Sequence, residues 1–162
     1  MCKKGSKLWS CIMDININIL DNLQRKIKQL QDIINVSIQE SINNNKNVIK
    51  ELQTLEQMYQ GKNSKGIDIK PAYADSTIKI KRKKSQPTNR VTLNDKGEFY
   101  NSIEVIAEKN QMIIRTVLSY SIYLINKYQD ILGLDKVSLK KFFNTYTLPI
   151  IKNNFNDIIT KP

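Results

Sequence analysis

Seven apolar residues spaced three or four apart constrain this chain most: Leu20, Leu23, Ile27, Leu30, Ile34, Ile38 and Ile42. That spacing returns to one side of an α-helix at every turn and does not fit a strand, whose period is two. It predicts one long helix over 14–42, with Asp14 as N-cap. Arg25, Lys26, Lys28, Gln31 and Asp32 take the opposite side. The stripe is narrow, so two uses stay open: a helix laid on the chain's own core, or a helix packed against its copy in an oligomer. Residues 1–13 are expected to form a flexible arm, with Trp9 available to anchor it.

The rest divides by its punctuation. The run of asparagines from Asn43 to Asn47 predicts a turn or kink. A second helix is expected from Val48 to Tyr59, ended by Gly61 and the loop Gly61–Gly66. Residues 67–90 read as a connecting region. Pro71 confines any strand there to a short edge, and Ser76 and Thr77 are placed to cap a short helix. Phe99 to Ala107 alternates as a strand, with Ile103, Val105 and Ala107 on one face and Glu104 on the other. A turn over Glu108–Gln111 and a partner strand from Met112 to Ser119 complete a hairpin. A helix is predicted over Tyr120–Leu132 and stopped by Gly133. Asp135 opens the next, with Leu139, Phe142, Phe143 and Tyr146 on one side. Thr147 and Pro149 fit the start of a last helix.

These elements predict an α+β fold: long N-terminal helices, a small antiparallel sheet built on a hairpin, and C-terminal helices. One domain is expected over 14–162. It comprises a helical part (14–60), a basic loop region (61–90), a hairpin core (91–134) and C-terminal helices (135–162).

The 162 residues carry a net charge of +11. That admits nucleic acid, an anionic surface or an acidic protein as partner. The chain is also rich in Ile, Asn and Lys, which share A/T-rich codons, so charge alone is weak evidence. The basic residues concentrate in Lys79, Lys81, Arg82, Lys83, Lys84 and Arg90, with no acid among them. This run is either a solvated charge cluster or a contact for phosphate or an acidic partner. No aromatic residue interleaves with it, which argues against base stacking.

Several classes are disfavoured. No apolar run approaches the ~18 residues of a membrane span, and the N-terminal lysines are not followed by a signal-peptide pattern. Cys2 and Cys11 have no histidine or CxxC partner, so no metal site is expected, and both read as free thiols of a reducing compartment. Histidine is absent altogether, and no nucleotide-binding or hydrolase motif occurs. No enzyme and no cofactor is therefore expected. Asp95 and Glu98 flank Gly97, but two carboxylates in a surface turn without a nucleophile read as turn residues.

The stretch Val91–Ile103 carries a family resemblance. Residues 71–134 resemble the virion morphogenesis or tail-completion proteins of Mu-like and P2-like phages. The matching positions are Pro71, Tyr73, Thr77, Lys81 to Lys84, Leu93, Asp95, Gly97, Phe99, Ser102, Ile103, Tyr120 and Leu132-Gly133-Leu134. Lys96 stands where that family commonly has threonine. Over about 48–134 the chain is also similar to structural proteins of crAss-like phages. The segments that carry this are Leu55-Glu56-Gln57, Ser64-Lys65-Gly66-Ile67-Asp68, Gln86 to Leu93, and Gly97 to Ser102. The resemblance implies a homo-oligomeric ring in the phage neck, between portal and tail. Its partners would be the portal and other neck proteins, with passing contact to packaged DNA and none to a membrane. It would be located in the virion after synthesis in the host cytoplasm. The alternative from charge is a basic nucleic-acid-binding module.

Overall fold

The computed structural model describes the backbone of residues 6–108 and 111–160 and the side chains of residues 19–108 and 111–156. The elements run α1 (Ser6–Asn44), α2 (Lys46–Glu51), α3 (Asp75–Lys83), α4 (Glu98–Asn101), β1 (Ile103–Glu108), β2 (Gln111–Thr116), α5 (Ser121–Lys127), α6 (Lys136–Phe142) and α7 (Leu148–Thr160). Helices around one small antiparallel hairpin make this an α+β fold, as the pattern predicts.

The first helix begins earlier than Asp14. It starts by Ser6 and takes in most of the stretch expected as an arm. Residues 6–13 contain no Gly or Pro, so nothing in them stops a helix nucleated by the long stripe. Cys2 and the side chains of Trp9 and Cys11 lie outside the described residues. The break after Asn44 falls within the asparagine run. There the Asn45 side-chain amide donates to the Ser41 carbonyl at 2.8 Å, capping the end of α1.

The second helical stretch is not uniform. After α2 it widens into a π segment at Leu52–Gln57 and tightens into a 3₁₀ turn at Met58–Gln60. Gly61, at φ +76°, ends it. A side chain at Gly61 would also meet the Arg90 Cβ at 3.0 Å.

The hairpin pairs Ile103 with Thr116 through to Glu108 with Gln111. Ile103 and Val105 point inward, and Glu104 points out to an ion pair with Arg115 at 3.0 Å. The strand starts later than expected, because residues 98–101 form a helical turn. Phe99 and Tyr100 are adjacent and both buried, which a strand's alternation forbids and a helical turn allows. β2 likewise stops at Thr116, short of Ser119, and the Thr116 hydroxyl lies 2.8 Å from that of Ser102.

Two apolar clusters lie side by side along the inward face of the sheet. Ile103 belongs to one, with Met58, Ile69, Val91, Phe99, Tyr100, Tyr128 and Ile131. Val105 belongs to the other, with Ile42, Ile49, Leu52 and Phe142. Ile114 packs against both.

Two C-terminal expectations change. The helix after Tyr120 is shorter, ending at Lys127, because Tyr128 and Ile131 turn back into the first cluster. Asp135 caps α6 as predicted, its carboxylate accepting from the Ser138 amide at 2.7 Å. Thr147, however, caps nothing. It is buried, and its hydroxyl lies 2.9 Å from that of Ser41. A π turn at Phe143–Thr147 joins α6 to α7 without a break. Pro149 lacks an amide donor, and the extra residue of the π turn absorbs that gap.

Candidate functional site

The basic run is carried by α3 and the loop after it. Ala74 precedes the first turn, without a side-chain cap, so Ser76 and Thr77 lie inside the helix rather than at its cap. Helical spacing then sends neighbouring lysines in different directions. Lys81 turns inward and is 5% exposed. Its ammonium donates to the Asn94 carbonyl at 2.6 Å and to the Gln86 side-chain oxygen at 3.1 Å. It also lies 5.0 Å from the centre of the Tyr73 ring. A buried charge with these partners is compensated. It is not available to a phosphate.

Two more members of the run are engaged. Lys84 meets the Asp95 carboxylate at 2.5 Å, and this hydrogen bond holds the Asp95 carboxyl below the usual carboxylate range. Arg90 donates its Nε to the Tyr59 carbonyl at 2.8 Å and lays its guanidinium over the Tyr59 ring at 5.4 Å. Lys79, Arg82 and Lys83 face solvent, and none has a partner among the described residues. The run therefore splits evenly. Three cations hold the body together and three remain free.

What they hold is the stretch Val91–Ile103. Thr92 is fully buried. The Tyr73 hydroxyl accepts from the amides of Thr92 at 2.8 Å and Leu93 at 3.1 Å. Leu93 sits at φ +54°, a left-handed turn that lets both amides converge on one oxygen. From the other side the Tyr100 hydroxyl donates to the Thr92 carbonyl at 2.5 Å. Burial pushes the Tyr100 phenol well above its ordinary pKa. Asp95 accepts from the Gln86 side-chain amide through its carbonyl at 2.7 Å. Gly97, at φ +84°, then opens α4, its carbonyl accepting from the Asn101 amide at 2.9 Å. Asp95 and Gly97 thus lie in the turn that leads into α4.

A hollow of about 410 Å³ lies beside this turn, between Tyr73, Lys81, Leu93, Phe99, Tyr120 and Tyr128. Of the three lysines in its lining, Lys81, Lys96 and Lys127, Lys81 is consumed by the chain's own oxygens. The Tyr120 hydroxyl donates to Glu98 at 3.4 Å, and desolvation together with that carboxylate raises its pKa. Among the described residues no three His, Cys, Asp or Glu side chains come together as a metal site. The arrangement neutralises charge and stiffens a loop.

A second polar device was not anticipated from the sequence. Gln53 donates to the Ile131 carbonyl at 2.8 Å and accepts from the Gly133 amide at 2.9 Å. Gln57 donates to the Gly133 carbonyl at 2.9 Å and accepts from the Asp135 amide at 2.8 Å. Two side-chain amides thereby pair an extended segment as a neighbouring strand would. The wider turn of the π segment stacks them for this. The available signal was two glutamines four apart, which a helix sets on one side.

The chain matches no protein-family model, no curated protein and no solved structure. No described helix is long and apolar enough to cross a membrane.

Proposed function

We propose that this chain is a non-enzymatic structural subunit of a bacteriophage virion, one protomer of a ring in the neck between portal and tail. The observation that carries the reading is that the residues bearing the phage resemblance interlock. Tyr73 grips the amides of Thr92 and Leu93, and Lys81 grips Asn94. Gly97 turns the chain into Phe99, and Ser102 bonds the Phe99 carbonyl and Thr116. A motif whose members hold one another is one that defines a fold. The body it makes is small and stiff, with a long helix projecting from it, as a protomer repeated by rotation requires. The lining of the hollow holds no His, Cys or Ser, the usual catalytic bases and nucleophiles.

Electron microscopy of intact phage necks, with mass spectrometry of purified particles, tests this. The chain is expected as a ring between portal and tail. Its absence from particles overturns the reading.

A basic module for nucleic acid is the second reading, favoured only by the free cations Lys79, Arg82 and Lys83 on one short helix. A protomer lining the DNA exit would also use them, touching phosphates without reading sequence.

A further inference from the structure

The seam along α1 is covered at one end and bare at the other. Taken in heptads, it reads Leu20 at a, Leu23 at d, Ile27 at a, Leu30 at d and Ile34 at a. The next two seam positions are Ser37 and Ser41, both fully buried. Helix α7 and the π turn before it cover them: Asn154 donates to the Ser37 hydroxyl at 2.9 Å, and Thr147 meets Ser41. These contacts make α7 antiparallel to α1. It ends at Thr160, roughly six residues beyond Asn154, which the helical rise places level with about residue 31 of α1. Beyond that point nothing in the described chain covers the seam. Leu20, Leu23 and Ile27 are 57%, 51% and 54% exposed. A helix carrying bare leucines and isoleucines this far from its body is poorly sustained in water alone.

We infer that the Ile19–Ile34 seam pairs in parallel, in register, with the same segment of a second copy. Ile at a with Leu at d is the pattern that favours a parallel two-stranded coiled coil. In that register Lys26, at g, faces Gln31 of the other copy, at e, so no like charges meet. Ile19 and Ile33, also at g, widen the seam. The direction rests on the ring reading, since copies related by rotation about one axis project α1 the same way. Two heptads are short for a free coiled coil, but the α1 backbone continues to Ser6 and the ring holds neighbouring copies close.

Sedimentation velocity on the full chain tests the pairing, comparing wild type with the Leu23→Asp/Ile27→Asp double variant. Neither side chain belongs to the buried clusters, so the Tm of the body should hold, and circular dichroism should fall by no more than the helicity of the unpaired end of α1. Self-association should weaken about tenfold or more, because the seam would have to bury charge. In a Cys2→Ser/Cys11→Ser background, Leu23→Cys should form a disulfide-linked dimer under mild oxidation. Arg25→Cys, on the outer face, should not. Equal assembly of variant and wild type overturns the pairing while leaving a ring possible through other surfaces. A monomeric wild type also overturns it. Particle mass spectrometry then decides separately whether the neck reading stands.

Discussion

The side-chain amide oxygen of Gln53 accepts the backbone N–H of Gly133, 80 residues away, at 2.9 Å. The same amide donates to the Ile131 carbonyl, so one residue pairs one buried and one half-buried backbone group at once. Replacing it with a similar apolar volume, Gln53→Leu, should leave both unpaired and cost about 2–4 kcal/mol. Urea denaturation measures this. Leu55→Ala, two residues on but more than half exposed, should cost under about 0.5 kcal/mol. Equal losses from both variants would mean that the clamp contributes nothing of its own.

Tyr100 links the buried Thr92 to pH. Its phenol is held neutral by burial, so its pKa in the fold is raised. Stability from this group is complete below the unfolded value near 10. It is lost as pH rises from there toward the folded value, because the unfolded chain releases the proton first. Tyr100→Phe removes the bond to the Thr92 carbonyl and should cost about 1–2 kcal/mol at neutral pH. It should also flatten the alkaline fall in stability. Melting curves across that range check both; an unaltered alkaline limb would exclude Tyr100 as its source.

Gly97 and Gly133 should respond differently to alanine. At Gly97 an added Cβ meets only the Asn101 amide nitrogen, at 3.7 Å. The cost there is the left-handed backbone alone, about 1–2 kcal/mol, with Gly97→Val costing more. At Gly133, φ is +117° and the Cβ would lie 3.2 Å from that of Ser64. Gly133→Ala therefore adds a steric clash to strain and should be the more damaging of the two alanine variants. Comparing their denaturant midpoints settles the order.

The sequence made some of this legible. The α1 stripe, the glycine stop at Gly61, the Asp135 cap and the inward face of β1 each depend on neighbours within a few residues, and local patterns report such features. Lys81, Gln53 and Thr92 depended on distant partners. Lys81 is indistinguishable from Arg82 or Lys83 in a basic run until Asn94 and Tyr73 are placed around it. Phe99 and Tyr100 alternate well enough to look like strand until both prove buried. The resemblance around Gly97 picked out residues that hold one another, although it did not say how. It met the glutamine clamp only at Gln57 and Gly133 and missed Gln53, because the clamp's second half is built from backbone and so leaves little trace in side-chain identity.

The split within the basic run gives the last test. Lys79, Arg82 and Lys83 are exposed and unpartnered, whereas Lys81 is spent inside. Changing the three outer residues to alanine should leave Tm nearly unchanged, as surface substitutions do. Removing one cation that neutralises a phosphate reduces the slope of log affinity against log salt by about 0.9 on duplex DNA. The triple variant should therefore show a slope shallower by up to about 2.7. Lys81→Ala should do the reverse. It removes a buried cation from three oxygen and ring partners, so stability falls while the salt slope of the remaining folded protein holds. Filter binding on duplex DNA across a salt series, paired with thermal melts, separates the two outcomes. If Lys81→Ala flattened the slope without loss of stability, the inward placement of that lysine would be wrong.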